Sequence, residues 1–246
     1  MKNILLFTFI VFLSCNSQQG IERSKKNTTS KIENSIRDIT EEETSKTEII
    51  ETFVDSTNIG DKGKYKVELI KYRILNDSYV IIQFYMKWDN KWIGQNKYFY
   101  ECDAIQDLSP IFEDYNNDNF NDMTFISATA ARSANEVRRL FIFNEKNREL
   151  ISILNSESYP NLLYNNELNC IDAFLVYGGS STVFARIKKD SLIEFASVHN
   201  DNYRTVYEID QFGKEKLLSR DTIIDFENIY VRYINYKPLK EYNYKN

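Results

Sequence analysis

The sequence predicts a mainly β protein, an antiparallel hairpin meander that is propeller-like or a sandwich, behind a disordered N-terminal tether. From residue 64 onward, short runs of β-branched and aromatic residues alternate with compact polar turns, and a period of two is clear in "YKVEL" and "TVFARIK". Apolar residues make up 42% of the 246-residue chain and aromatic residues 14%, which is enough for a hydrophobic core. Only 7 Gly and 3 Pro are present, which disfavours a low-complexity chain. We therefore expect one substantial β domain.

The first residues have the pattern of a bacterial lipoprotein signal. The segment "MKNILLFTFIVFLSC" contains one Lys, an apolar run over residues 4–13, and then Ser14 before Cys15. This run is too short to span a bilayer as a mature helix and is typical of a secretory signal peptide. We expect removal of residues 1–14 and acylation of Cys15, so that the lipid bilayer of the bacterial envelope holds the protein, on the periplasmic side or at the outer membrane. Ordinary cleavage elsewhere in "SCNSQQG" is the alternative.

The next segment predicts a polar tether. Residues 15–63 are rich in charged and hydroxyl side chains and contain few large apolar residues. Ser30 lies three residues before Glu33, the spacing of a capping box, and three isoleucines follow at helical spacing, so a short helix is expected over residues 31–43. Residues 64–246 then form the β-rich domain.

Polar turns divide this domain into hairpins. The turns "WDNK", "NEKNRE", "KKDS" and "DQFGKE" join neighbouring apolar runs, and their uneven spacing indicates no clean internal repeat. The predicted strands are 65–73, 79–86, 92–100, 123–128, 138–143, 150–154, 172–177, 182–188, 192–198, 203–209 and 229–234.

The charge of the chain bears on its partners. The formal net charge is −5, and Lys and Arg are not clustered along the sequence. Neither nucleic acid nor another polyanion is therefore an expected partner.

One loop carries the spacing of a calcium site. In "FEDYNNDNFNDMTF", Asp114, Asn116, Asp118 and Asp122 stand at relative positions one, three, five and nine. In calcium loops, side-chain oxygens at these positions and the backbone carbonyl at position seven, here Phe120, converge on the ion. Oxygen ligands suit calcium, whereas zinc would favour Cys or His. We expect one calcium ion, with a role in bracing the fold.

Two positions depart from the usual calcium loop. Position six is Asn119 where Gly is usual, and Asn is among the few other residues that tolerate positive φ. Position twelve is Phe125, so the loop is not an EF-hand. The alternative interpretation is an Asx-rich turn, because Asp and Asn cluster in loops by bonding their own backbone.

A resemblance to a known group of proteins rests on this loop. The run "FEDYNNDNFNDMTFISA", followed by "RRLFIFNEKNRELISIL", resembles the D-x-N-x-D-x-x-x-D loop and following strands of calcium-loop β proteins. These include integrin-like FG-GAP propeller repeats and bacterial periplasmic lipoproteins, some of them immunity proteins that inhibit lysozyme-like toxins. The specific part covers residues 108–154. The resemblance implies calcium on the five positions named above, and no inhibitory contact residue is carried over.

Catalytic motifs are weak. The single histidine, His199, ends an alternating run and is expected to be a surface or hydrogen-bonded residue, and "YGGSST" lacks the Lys of a phosphate loop. Four acidic residues lie close together in sequence, namely Glu101, Asp103, Asp107 and Glu113. Two such carboxylates could serve a hydrolase, but clusters of this kind belong more often to solvated loops. We expect a protein that is not an enzyme.

Two further features were left open by the sequence. The long polar loop "ATAARSANEVRR" leaves the sheet near the calcium loop, so Arg132, Asn135 and Glu136 either contact a partner or lie in a solvated connection. Cys102 and Cys170 remain after lipidation, and they form either a disulfide or two independent thiols.

Together these patterns favour an envelope-anchored calcium-binding lipoprotein that acts as a protein-binding module. An inhibitor or immunity factor for a cell-wall hydrolase is the specific form that the resemblance implies. The alternatives are a structural or assembly component of the envelope and, less favoured, a carbohydrate-active hydrolase.

Overall fold

A computed structural model describes residues 47–223 and 229–243 of the chain. The expected signal peptide, Cys15 and the helix over residues 31–43 lie outside the described residues. The strands are β1 Thr47–Asp55, β2 Tyr65–Ile74, β3 Asp77–Trp88, β4 Lys91–Cys102, β5 Ile111–Glu113, β6 Asp122–Ala130, β7 Asn135–Asn144, β8 Glu149–Ser152, β9 Leu163–Asn165, β10 Cys170–Val176, β11 Ser180–Lys188, β12 Ser191–Asn200, β13 Tyr203–Ile209, β14 Glu215–Thr222, β15 Tyr233–Tyr236 and β16 Leu239–Glu241, with a single-turn 3₁₀ helix at Ser156–Ser158.

The strands form consecutive antiparallel meanders. Sheet 1 has the order β1-β2-β3-β4, sheet 2 the order β5-β6-β7-β8, and sheet 3 the order β14-β13-β12-β11-β10-β9, while β15 and β16 form a C-terminal hairpin. All pairings are antiparallel, as hairpin connections require. The predicted mainly β meander is confirmed, and the packing of the sheets on one another fits its sandwich form.

Sheets 1 and 2 share a core because their strands alternate in burial. In β2, every second residue from Tyr65 to Lys71 is buried, which gives sheet 1 one buried face. That face contributes Val67, Leu69 and Phe84, and sheet 2 meets it with Phe125 and Phe141. Phe84, Phe125 and Phe141 are aromatic, and such side chains each bury a large apolar area.

Sheet 2 is buried on both of its faces. Phe141 and Phe143 of β7 point toward sheet 1, whereas Leu140 and Ile142 pack with residues of sheet 3 such as Val183. This is why the first six residues of β6 and four consecutive residues of β7 are buried without alternation.

The other face of sheet 3 packs against the C-terminal hairpin. Phe184 and Val198 lie in one cluster with Tyr233. Beside this cluster Asp172, which is fully buried, receives hydrogen bonds and an ion pair from Arg232. The chain therefore returns to cover sheet 3 through both apolar and ionic contacts.

The tether was predicted to extend to residue 63, and this boundary was wrong. Thr47–Asp55 form β1 and pair with β2 over most of their length, and the compact unit begins at Thr47. The sequence of β1 resembles a tether because an edge strand that is mostly exposed accepts polar residues. β14 was also missed, and seven of its eight residues are exposed.

Cys102 and Cys170 are free, so of the two alternatives for this pair the structure has the independent thiols and not the disulfide. Cys102 packs against the core of sheets 1 and 2, whereas Cys170 lies in the cluster between sheet 3 and the C-terminal hairpin. Burial raises the pKa of both thiols, that of Cys170 to about 12. Within residues 47–223 and 229–243, no helix is long and apolar enough to cross a bilayer.

Candidate functional site

The loop over residues 114–122 joins β5 to β6 and is ordered by its own side chains. The carboxylate of Asp114 accepts the backbone N–H of Asp118 at 3.1 Å and that of Asn119 at 2.7 Å. Asp118 in turn accepts the N–H of Phe120 at 2.9 Å, and the amide of Asn116 donates to Asp118 at 2.9 Å. These are Asx-turn contacts of the kind that the alternative interpretation describes.

The chain turns through left-handed conformations at two asparagines. Asn117 has φ of 61° and Asn119 has φ of 70°. Asn119 therefore has the positive φ that Gly usually adopts at position six of a calcium loop. Both turns of the loop backbone thus use residues that tolerate the left-handed region.

Asp122 differs from the other acidic residues of the loop because it is fully buried. Its two carboxylate oxygens accept the N–H groups of Tyr115 and Phe143, each at 2.8 Å. Burial raises the pKa of Asp122 to about 8, and the nearby carboxylates of Asp118 and Asp114 push in the same direction. No Lys, Arg or His of the described residues forms an ion pair with it.

The donor set suits a hard cation, but the side chains are held by backbone groups. Three carboxylates and the amide oxygen of Asn116 are the oxygen ligands that calcium prefers. Among the residues that the structure describes, no group of three or more His, Cys, Asp or Glu side chains is already arranged to hold a metal ion. Calcium would have to compete with the N–H groups that these oxygens now accept.

The predicted partner-contact residues have different surroundings. Arg132 is exposed at the tip of the β6–β7 turn, where it and both neighbours have positive φ. Asn135 instead forms two hydrogen bonds with the backbone of Val176, and Glu136 pairs with Arg138 at 2.5 Å. Of the three, Arg132 alone has a side chain fully directed to solvent, since the other two are only partly exposed and are engaged within the protein.

His199 is hydrogen-bonded on both ring nitrogens. Nδ1 lies 2.7 Å from the hydroxyl of Ser181, and Nε2 lies 2.9 Å from that of Ser197. Ser181 also contacts the hydroxyl of Tyr177 and is only 3% exposed. The sequence did not reveal the Ser181–His199 contact, because the two residues become neighbours only through the pairing of β11 with β12.

The four acidic residues considered for a hydrolase site are exposed or bonded to their own backbone. Glu101, Asp107 and Glu113 are exposed, and Asp103 accepts the backbone N–H of Ile105. Their placement at a strand end, in a loop and on an exposed strand position is that of solvated carboxylates.

Comparison with known proteins gives little. No family model matches the chain, and no curated protein matches it. Among solved structures, one described as a Xanthomonas type IV secretion system related protein is similar at a TM-score of 0.43 and 11% identity, over 70% of this chain and 98% of its own. A similarity this distant carries no functional inference.

Proposed function

We propose that this protein is an envelope lipoprotein that acts as a protein-binding module and holds one calcium ion in the loop over residues 114–122. The observation that carries the calcium assignment is the buried carboxylate of Asp122, which has two backbone donors but no cationic partner among the described residues. A buried carboxylate keeps its charge when it is paired or coordinates a metal, and otherwise its pKa rises, as that of Asp122 does. An external cation would supply the missing charge.

The ion would brace sheet 2. The ligands would be Asp114, Asn116, Asp118, the carbonyl of Phe120 and Asp122. Asp122 begins β6 and accepts an N–H from β7, and the loop itself follows β5, so three strands meet at this carboxylate. Calcium, when bound, would supply positive charge to the loop. The hydrogen bonds of Asp122 to the backbone hold the strands in position.

The binding role is supported by the exposed turn beside this sheet. Ala131, Arg132 and Ser133 have φ of 49°, 56° and 69°. Consecutive left-handed conformations at residues other than Gly are strained, and such strain persists only where the surroundings impose it. The turn presents Arg132 to solvent, and Arg is among the residues most enriched at protein interfaces. The partner proposed from the resemblance is a cell-wall hydrolase, and the alternative role is envelope assembly.

Thermal unfolding with calcium and with chelator tests the metal site. Calcium should raise the melting temperature of the wild type, because binding to the folded form adds roughly 2.7 kcal/mol when the ion is a hundredfold above its dissociation constant. Extracellular modules bind in about the 10⁻⁴ to 10⁻³ M range, so the titration should reach millimolar calcium. The Asp118→Ala variant should lose most of this gain.

Asp210→Ala is the matched control. Asp210 caps the β13–β14 turn by accepting the N–H groups of Phe212 and Lys214, so its removal also breaks an Asx turn. This variant should keep the full calcium response. If calcium at millimolar concentration shifts neither protein, the loop is an Asx-rich turn only.

Anchoring and partner binding need separate tests. Fatty-acid labelling should be lost in Cys15→Ser, because the acyl chains supply the membrane affinity. A chain without residues 1–20 should capture a protein from envelope extract in calcium, and both chelator and Asp118→Ala should reduce the capture. Capture that is indifferent to both would separate partner binding from the ion.

A further inference from the structure

A cleft of about 610 Å³ lies where the ends of sheets 1 and 2 meet. Its walls come from the segment that leads into β2, from the β3–β4 hairpin and from the β7–β8 hairpin. These pieces are distant in sequence, so their common chemistry becomes visible only in the folded chain.

The charged residues of the cleft are predominantly cationic. Four of them are basic and two are acidic, and they are Lys64, Lys87, Lys146, Arg148, Asp61 and Glu145. Lys64 pairs with Asp61 at 2.7 Å. Lys146 and Arg148 are both exposed at the tip of one hairpin. Within the described residues, their side chains form no hydrogen bond or ion pair. The cleft therefore presents unpaired positive charge.

A buried phenol also faces this cleft. Tyr65 is 5% exposed, with its ring packed between Phe84 and Phe143 at centroid distances of 5.7 and 4.8 Å. Its hydroxyl has no hydrogen-bond partner in the part of the chain that the structure describes, and Tyr65 lines the cleft. The ring is buried but the hydroxyl is not among the buried polar atoms that lack a partner, so it reaches the cleft and is available to a ligand.

The backbone makes room for this ring. Gly60 has φ of 54°, and a Cβ atom there would lie 2.8 Å from the Tyr65 ring and 2.9 Å from the Phe143 ring. Glycine is therefore required for steric as well as conformational reasons. Burial raises the pKa of Tyr65, so the hydroxyl keeps its proton at neutral pH and is a hydrogen-bond donor.

The rim of the cleft is aromatic. Trp88 is 66% exposed at the end of β3, beside Met86. An exposed indole next to cations provides an apolar surface for a ring or chain attached to an anionic group.

A second cleft has an equal number of basic and acidic residues. It has a volume of about 630 Å³ on sheet 3, and its charged lining consists of Arg186, Lys214, Lys216, Glu208, Asp210 and Glu215. Three cations face three anions there, and Arg186 stacks on Phe195 at 4.0 Å. Of these two clefts, the first has the surplus of positive charge, together with a phenol hydroxyl that no protein group of the described residues engages.

We propose that the cleft at Tyr65 binds a phosphate group, carried either by a soluble phosphorylated sugar or by a phospholipid headgroup. Lys87, Lys146 and Arg148 neutralise the phosphate, and the Tyr65 hydroxyl donates a hydrogen bond to one of its oxygens. The surplus of cations over anions in the lining matches a dianion better than a single carboxylate. This site goes beyond the proposed calcium and protein-binding role and does not depend on it.

Calorimetry on the full chain in detergent tests the proposal, with chelator present so that calcium phosphate does not form. The probes are inorganic phosphate, glucose 6-phosphate and glucose, together with the short-chain lipids dihexanoyl phosphatidic acid and dihexanoyl phosphatidylcholine. A titration to about 10 mM detects dissociation constants in the millimolar range. We expect glucose 6-phosphate or phosphatidic acid to bind, with the stronger of the two identifying the source, and glucose not to bind.

Charge-matched variants make the result specific. Lys146→Gln combined with Arg148→Gln should weaken binding about tenfold or more, because two charge-assisted contacts are lost. Lys188→Gln combined with Lys189→Gln removes the same charge from the exposed β11–β12 turn, where Lys189 also has positive φ, and should leave binding unchanged. Tyr65→Phe should weaken binding by about tenfold through loss of one hydrogen bond to a charged group.

Three outcomes would overturn the proposal. They are the absence of binding by every phosphate-bearing probe, equal losses in the two double variants, and equal binding of glucose and glucose 6-phosphate. The calcium response of the wild type, measured separately, is unaffected by any of them. Failure of this site is thus distinguishable from failure of the proposed function.

Discussion

Asp122 and Asp172 are both aspartates in β-strands, and both are fully buried. Asp172 receives the guanidinium of Arg232, the side-chain amide of Asn165 at 2.9 Å and the hydroxyl of Tyr242 at 2.5 Å. Among the described residues, Asp122 receives two backbone N–H groups and no ion pair, and the charges that act on it are those of Asp118 and Asp114. The chain itself supplies the countercharge for one carboxylate, and for the other we propose that calcium supplies it.

This difference predicts that the two sites respond to different perturbations. Removing one partner of a buried ion pair leaves an uncompensated buried charge. The resulting loss of stability is far larger than any stability that the intact pair adds over well-packed apolar residues. The Asp172 site should therefore be sensitive to mutation of the chain and indifferent to ions. The Asp122 site should be sensitive to both.

The largest effect is expected for Arg232→Met. This variant leaves Asp172 buried without a cation and should lower the free energy of unfolding by about 3–5 kcal/mol. Denaturant unfolding measures the loss. Adding Asp172→Asn to the same chain should recover part of it, because the uncompensated charge is then absent.

Arg220→Met is the control for this loss. Arg220 is exposed on β14 and stacks on Tyr203 at 3.9 Å, so its removal should change stability by about 0.5 kcal/mol or less. If Arg232→Met alone is as stable as Arg220→Met, the stability of the fold does not depend on the cation beside Asp172.

Calcium should act on one carboxylate only. The roughly 2.7 kcal/mol gained at a hundredfold excess over the dissociation constant should be the same in wild type and Arg232→Met, to within about 0.5 kcal/mol, because distant sites add. Chemical unfolding of both proteins with calcium and with chelator provides the comparison. A larger calcium gain in Arg232→Met would mean that the ion replaces the guanidinium at Asp172, which contradicts the distinction between the sites.

The smallest effect is expected from His199, a half-buried base whose hydrogen-bond partners are the neutral hydroxyls of Ser181 and Ser197. Burial lowers the pKa of His199 below 6.5, against the opposing influence of Glu215, Asp201 and Glu194. The unfolded chain therefore takes up the proton first as the pH falls. The stability that this group contributes is fully present above pH 6.5. It is lost progressively as the pH falls from 6.5 to the pKa of His199 in the folded protein.

The measurement compares wild type with His199→Gln. Unfolding free energies at about pH 7.5 and about pH 5.5 should show a smaller decrease in the variant, because Gln does not titrate and the other groups are common to both. Equal decreases in the two proteins would remove His199 from the pH response.

Local patterns predicted the hairpins well. Asp89 and Asn90 of "WDNK" have φ of 46° and 59°, which is the two-residue turn that the sequence favours, and β13 has the predicted bounds. Strands with a buried face alternate clearly enough to be recognised. β1 and β14 lie at sheet edges and are largely exposed, so neither has that alternation.

Contacts between distant segments could not be predicted. Arg232 reaches Asp172 across sixty positions, and no local pattern marks either residue as a partner. Likewise Lys87 and Lys146 come from separate hairpins, so the sequence indicated no basic cluster. The spacing of the Asx loop was visible, but the absence of a cation beside Asp122 required knowledge of every surrounding side chain.

The double-sided burial of sheet 2 has a consequence for folding. A sheet whose β7 carries phenylalanines on one face and Leu140 and Ile142 on the other cannot be stable in water if either neighbouring sheet separates from it. Partial opening would expose one whole apolar layer, so the free energy of local unfolding at β6 and β7 should approach that of the whole domain. The amide hydrogens of these two strands should consequently exchange with solvent among the slowest in the protein, and only through complete unfolding.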